Sequence, residues 1–447
     1  MADIQPFRAF RYDTNRVALK DVLTQPYDKI SPAMQEQYYA ASPYNLIPVE
    51  KGRIFPDDTP ENNVYTRAAK KIDEWIKAKV LLQDGAPTVY IYSQEFFVPG
   101  RGSHRTRIGF IALTRLVGYD AQIVFRHEHT LSGPKADRIE LLRKTRAQTG
   151  QLFLLFDDVA KKIDSLLEET SRKSAPIELK DEFGVTHRLW PVSDEAFVRR
   201  ITQEMADKKL IIADGHHRYE TALAYRNECR ERLGTTDPMA AHEFAMATFI
   251  NTHSKGLVIL PTHRLVRNLP NFDFEKFRKT AGAYFDWYSY PFQNSEERVT
   301  AYAEFQKDLE GHHHGRRALG IYAGGGAFFL FLLRRDADLE HLLPDFSEAQ
   351  RGLDVVLLHR LILDKSLGIT PEAVKAEKNV EYVRETEAAL AAVDRGEAQL
   401  ACLLNPVRMQ QMSDIALGGG VMPQKSTDFY PKMLSGLAIF RVEGRID

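Results

Sequence analysis

The sequence predicts a mixed α/β protein with more than one domain, and three observations carry that prediction. Short runs rich in β-branched and aromatic residues alternate with stretches of helical composition, the pattern of strands interleaved with helices. At 447 residues the chain exceeds one ordinary core, since domains average roughly 150 residues. Apolar residues make up 44% and aromatics 10%, enough to give each unit an interior. The pattern shifts near residues 118 and 268, which suggests an N-terminal α/β region over 1–118, a central core over 119–268 and a C-terminal α/β region over 269–447.

The elements follow in chain order. "QPYDKISP" and "SPYNLIPVE" are two proline-punctuated turns, and Asn63 to Leu82 has the composition of a helix. "TVYIYSQEFFV" and "RIGFIALTRLV" are strands by their β-branched and aromatic content, and "PGRGSHRTR" between them has hairpin composition. "FRHEHTLSGPKADRIELLRKTRAQTG" is a polar loop with Gly133 and Pro134 that leads into a basic helix. "QLFLLF" reads as a buried strand, Lys161 to Glu169 as a helix and "VTHRLWPV" as a strand. Leu210 to Ile212 form the next strand and Tyr219 to Leu233 the next helix; "EFAMATFIN" and "GLVILPTHRLV" are strand-like. Further on, "RALGIYAGGGAFFLFLLRR" is a hairpin around three glycines, and Leu353, Leu357 and Leu361 recur at helical spacing. "VEYVRETEAALAAVDRGEAQLACLLNPV" then reads strand, helix, strand. His312 to His314 lie in Gly- and Arg-rich context, a solvated loop rather than a metal tract.

Composition narrows the function. A formal net charge of −1 gives no overall basic field, so nucleic acid is not the expected partner. No run approaches the ~20 apolar residues of a membrane span, and "MADIQPFRAFRYD" places charges where a signal peptide needs an apolar core. Cys229 and Cys402 form neither a disulfide framework nor a metal pattern. A soluble, cytoplasmic protein is expected.

Three polar clusters can carry chemistry. In "LIIADGHHRYETAL" the strand turns into a helix at Asp214, Gly215, His216, His217 and Arg218. Such a junction directs backbone N–H groups and the positive helix end at one spot, which suits phosphate. Gly215 lets the backbone approach a ligand, Arg218 can clamp phosphate oxygens, and Asp214 can hold a metal ion or orient a hydroxyl; helix capping and packing are the plain alternative. "RHEHT" centres Glu128 between His127 and His129, with Arg126, Lys135 and Arg138 nearby. Glu128 suits a general base, and a solvated charged loop explains the composition equally well. "GGGVMPQKST" lacks the glycine a Walker motif needs before Lys425, although a turn carrying Lys425, Ser426, Thr427 and Lys432 can close over an anion. A zinc site from His127, His129, His216 and His217 is disfavoured, because adjacent histidines rarely share one ion.

Several of these stretches together, "QPYDKIS", "SPYNLI", "RHEHTLSGPKADR", "IADGHHRYETAL", "GLVILPTHRLV" and "MPQKSTDFYPK", resemble the DUF1015 family from end to end. "IIADGHHR" is also similar to the signature of the ParB/sulfiredoxin superfamily, and most closely to its free L-serine kinases, over roughly Gln122 to Val266. That resemblance implies a ParB/sulfiredoxin-like nucleotide-binding core, and a phosphotransferase that moves phosphoryl from ATP or ADP to a small hydroxylated metabolite, most plausibly L-serine. It implies Mg²⁺ held at Asp214, nucleotide phosphates on Gly215, His216, His217 and Arg218, and Glu128 after His127 as base. Arg126, His127, Lys135, Arg138, Lys425 and Ser426 rank second, for phosphate or substrate. A homo-oligomer fits the large outer regions. The alternative is a ParB-type protein that binds or hydrolyses a nucleotide as a regulator. Sulfinic-acid repair is not expected, because His216 stands where sulfiredoxin has its reactive cysteine.

Overall fold

The computed structural model describes residues 2–100, 102–128, 132–234, 236–311 and 316–446, and of 132–134 the backbone alone. The fold is mixed α/β. Contacts group the chain into two units: one holds the described residues up to Arg126, those from 132 to Val258 and those from Phe429 onward; the other holds His127, Glu128 and Ile259–Asp428. These units differ from the three consecutive regions expected. The chain passes from one unit to the other at Val258–Ile259, and the strand His104–Arg115 pairs with Phe244–Asn251 across position 118. The tail also returns to the first unit, where Phe440–Arg441 pairs with Ala147–Gln148. Pairing between segments distant in sequence leaves no trace in composition.

The first unit is built on a mixed sheet. Its strands run in the order Val124–Phe125, Leu210–Asp214, Leu152–Phe156, Phe244–Asn251, His104–Arg115, Val89–Phe97, Thr186–Val192 and Ile177–Lys180, with Ile4–Gln5 added beside His104–Arg115. Val124–Phe125 is parallel to Leu210–Asp214, and Leu152–Phe156 is parallel to Phe244–Asn251. Leu152, Leu154, Phe156, Leu210 and Ile212 form one core with Phe197, Ile201 and Met205 of the helix Glu195–Met205 and with Tyr219. That helix is capped by Asp194, which accepts from Phe197 N at 2.8 Å.

Several local expectations shift by a turn. The polar loop expected at Gly133 and Pro134 is already helix, Ser132–Thr145; proline is tolerated there because first-turn N–H groups have no partner within the helix. The Asn63–Leu82 stretch is a helix over Val64–Lys77, capped by Asn63, followed by the strand Leu81–Gln83. Within "SPYNLIPVE", Ile47–Glu50 forms one helical turn. The helix expected from Tyr219 starts at His216 and runs to Leu233, so His216, His217 and Arg218 make its first turn.

The second unit has an antiparallel sheet in the order Phe285–Pro291, Ala327–Leu333, Ala318–Tyr322, Leu400–Leu403, His263–Val266 and Val380–Val383. Phe305 and Leu309 of the helix Ser295–Gly311 pack with Phe328, Leu330, Leu332 and Leu390. The leucine repeat forms a helical turn at Asp354–Leu357 that widens into a π-helical stretch, Leu358–Ser366. His312 to His314 lie outside the described residues. Among the described residues no helix is long and apolar enough to cross a membrane.

Candidate functional site

Asp214 ends the strand Leu210–Asp214, where pairing with Leu152–Phe156 slips out of register between Ile212 and Asp214. The next residue, Gly215, has φ +93°, a left-handed conformation in which a side chain is strained. A Cβ there would also stand 3.1 Å from Arg218 Nε and 3.2 Å from Leu152 Cδ2. The backbone thus favours glycine, and a side chain would also press on Arg218 and Leu152. It forms the N-cap of the helix His216–Leu233, whose first N–H groups and dipole favour negative charge at this point.

Arg218 folds back from that first turn. Its Nη2 lies 3.0 Å from Asp214 Oδ2, and its Nη1 donates to Gln151 O at 2.5 Å. Lys432 Nζ lies 3.4 Å from Asp214 Oδ1. Burial works to raise the Asp214 carboxyl, but the positive charges of Lys432, Arg218, Lys29 and His216 outweigh it and hold the group well below the usual carboxylate range. Asp214 is thus an ionised carboxylate in a cationic setting. His216 is buried and His217 half-buried beside it.

Around Arg218 the polar groups continue. Glu50 is buried and accepts from Tyr27 N at 3.2 Å, Thr149 Oγ1 at 2.7 Å and Ser435 Oγ at 3.0 Å. A recess is lined by Tyr27, Glu50, Arg138, Thr149, Arg218 and Thr221 among others. A wider cleft of about 1050 Å³ shares Tyr27, Arg138 and Leu141 with it. Arg138 donates Nη1 to Glu50 O at 3.0 Å, pairs with Asp137 and lies 4.4 Å over the Tyr27 ring. Arg126 and Lys135 instead converge on Glu220, Arg126 at 3.8 Å, and Arg126 stacks 5.0 Å over Tyr119.

The remaining expected residues lie in the second unit. Met422 N donates to His127 O at 2.7 Å, His127 Nε2 and Thr427 Oγ1 are 2.7 Å apart, and Glu128 forms a β-bridge with Met422. The negative charge of Glu128 acts on Arg264 and on Tyr382. Arg264 is buried, and burial pushes its guanidinium down to about 10. Its Nη2 donates to Lys425 O at 3.0 Å and Gln424 O at 3.2 Å, its Nε approaches His359 Nε2 at 3.3 Å, and it lies 5.0 Å over the Tyr382 ring. The glycine-rich turn therefore wraps its carbonyls around an arginine. The Lys425 side chain is exposed, and Ser426 Oγ donates to Pro423 O.

The structure brings Asp214, Gly215, His216 and Arg218 together with Lys432 and Lys29. Lys432 was visible in the sequence only as one member of the last polar cluster, and Lys29, Glu50 and Arg264 carried no signal. His129 lies outside the described residues, and among the described residues no group of three His, Cys, Asp or Glu side chains could hold a metal ion. The zinc alternative gains nothing. Mg²⁺ fits differently: it takes one or two carboxylates and fills its other places with phosphate and water, and Asp214 supplies one ionised carboxylate.

Fold and junction define a mixed α/β protein with an Asp-Gly-His-His-Arg turn between a sheet strand and an 18-residue helix. The chain belongs to the DUF1015 family, described as a protein family of unknown function, whose model matches residues 4–356. Among solved structures it is similar to a conserved hypothetical protein from Pyrococcus furiosus, at 14% identity and TM-score 0.33, over 73% of this chain and 95% of that one. A free serine kinase variant in complex with ADP is similar at 12% identity and TM-score 0.36, over 73% and 92%. SbnI with a C-terminal truncation, from Staphylococcus aureus, is similar at 8% identity and TM-score 0.34, over 75% and 87%. No curated protein sequence matches the chain.

Proposed function

We propose that this protein is a phosphotransferase that moves a phosphoryl group from ATP or ADP to a small hydroxylated metabolite, with free L-serine as the acceptor and O-phospho-L-serine as the product. The observation that carries the reading is the Gly215 turn: a left-handed glycine opens a long helix beside an ionised Asp214, with Arg218 folded over the same point. The resemblance of this turn to that of the free L-serine kinases supports the choice of reaction.

In this reading the first N–H groups of the helix, with Arg218, His216 and His217, bind the donor phosphates, where fixed donors replace water without reorganising. Asp214 would hold Mg²⁺, which when bound offsets phosphate charge. Glu128 accepts the proton of the acceptor hydroxyl as its oxygen bonds to phosphorus and the bond from phosphorus to the donor oxygen breaks. Arg126, Lys135 and Arg138 remain candidates for the substrate carboxylate.

The test is phosphorus NMR of the purified protein with Mg²⁺, L-serine and either ATP or ADP. A phosphomonoester that appears with the wild-type protein and is lost in Asp214→Ala and Glu128→Gln supports the reading. Nucleotide bound without turnover of L-serine or other hydroxylated acceptors overturns it in favour of a nucleotide-binding regulator.

A further inference from the structure

The segment that carries Lys432 has little secondary structure of its own; buried side chains of the central strands fix it. Arg107, 1% exposed, donates Nη1 to Tyr430 O at 3.1 Å and Nη2 to Pro431 O. Its Nε and Nη2 also donate to Gln94 Oε1, at 2.8 and 2.6 Å. Gln94 Nε2 in turn donates to Lys432 O at 2.9 Å. Two side chains thus hold three successive carbonyls, ending at Lys432 itself. On the far side, Gly436 N donates to Thr149 O at 2.8 Å and Ser435 Oγ to Glu50.

Burying a guanidinium is costly unless its donors are matched. Burial pushes Arg107 down to about 10, so it remains charged at neutral pH, and its matching acceptors include the carbonyls that lead into Lys432. The lysine so held sits at Asp214, which Arg218 already pairs. A cation needed only to balance Asp214 would duplicate Arg218.

A separate observation points to a ligand beside the same residues. Asp214 pairs with Phe153 in the sheet, and Arg107 lies 5.0 Å over the Phe153 ring. Gln151 immediately precedes the strand of Phe153, and its carbonyl accepts from Arg218 Nη1, whose Nη2 pairs with Asp214. It is 1% exposed, and neither atom of its amide has a hydrogen-bond partner among the described residues. Buried polar groups left unmatched in this way are rare, and a polar ligand beside Asp214 would match them.

We propose that Lys432 is a phosphate-contacting residue of this site, its ammonium shared between Asp214 and the phosphoryl oxygens of a bound nucleotide, and that Arg107 is the positioning residue that sets its place. The identity of the ligand rests on the phosphotransfer reading.

The experiment is calorimetric titration of ADP with Mg²⁺ into the wild type, Lys432→Ala, Lys432→Arg, Arg107→Met, Gln94→Ala and the Lys432→Ala/Arg107→Met double variant. Losing one charge-assisted contact weakens binding about tenfold or more. Lys432→Ala should show that loss, Lys432→Arg should recover most of it, and Arg107→Met should match Lys432→Ala. The double variant should bind no more weakly than Lys432→Ala, because both substitutions remove one interaction. If Arg107→Met does not fold, Gln94→Ala, which frees the Lys432 carbonyl and removes Gln94 Oε1 from the Arg107 donors while leaving the Arg107 charge in place, must show a loss of the same kind. ADP affinity within twofold of wild type in Lys432→Ala, or fully additive losses in the double variant, overturns the proposal. A wild type that binds ADP but transfers phosphoryl to no acceptor overturns the phosphotransfer reading alone, and the calorimetry still judges Lys432. A wild type that binds no ADP overturns both.

Discussion

Gly215→Ala tests whether the turn is glycine for reasons of backbone and space together. At φ +93° an alanine occupies the left-handed region at a cost of roughly 1–2 kcal/mol. Loss of glycine's extra freedom in the unfolded chain offsets about 0.4–1 kcal/mol of that. The new Cβ also meets Arg218 Nε at 3.1 Å and Leu152 Cδ2 at 3.2 Å, and overpacking of this kind adds about 1–3 kcal/mol. Gly234→Ala is the control, because Gly234 has φ +64° and nothing within 4 Å of its Cβ position. Thermal unfolding should therefore show Gly234→Ala destabilised by about 0–1.6 kcal/mol and Gly215→Ala by about 1–4.6 kcal/mol. ADP affinity should fall only in Gly215→Ala, since Arg218 must move. Equal destabilisation of the two variants, or unchanged ADP affinity in Gly215→Ala, refutes the reasoning.

Three further outcomes follow from the structure. Glu50→Ala strands the Tyr27 N–H and the Thr149 and Ser435 hydroxyls that Glu50 accepts, and should cost about 2–4 kcal/mol in urea unfolding. Glu128→Gln should lower turnover ~10²–10⁴-fold; equal activity removes Glu128 as the base. Burial raises the Asp354 carboxyl to about 7 against the pull of Arg317 and Arg408. The unfolded chain then loses its proton first, so this residue costs nothing below the ordinary carboxylate range and destabilises increasingly as pH rises toward 7. Asp354→Asn should therefore gain stability over wild type at pH 7.5 relative to pH 4.5, measured by urea midpoints at both.

The strands were legible where their chemistry was local. "TVYIYSQEFFV", "QLFLLF" and "EFAMATFIN" are dense β-branched and aromatic runs, and all three are central strands. The Asp214–Arg218 junction was legible too, because five polar residues interrupt an apolar run. What stayed hidden depends on partners far along the chain. Lys432 meets Asp214 across 218 residues, and nothing near "FYPK" tells which lysine of that cluster arrives. Arg107 sits in an apolar strand as an ordinary exposed-looking arginine, and only its carbonyl acceptors on Tyr430 and Pro431 explain its burial. The helix starts at His216, three residues before the sequence suggests, because Gly215 and two histidines are weak helix signals beside the Ala- and Leu-rich run that follows.

The return of residues 429–446 to the first unit ties this site to the order in which the polypeptide is made. A ribosome has completed all the strands of the central sheet by Asn251, yet Arg107 and Gln94 then wait for carbonyls not translated until residues 430–432. Until those residues emerge, Arg107 has Gln94 but lacks the two carbonyl acceptors that complete its match. The site is thus assembled last, after the whole second unit has been synthesised, and a nascent protein stalled before Lys432 holds Asp214 without its lysine.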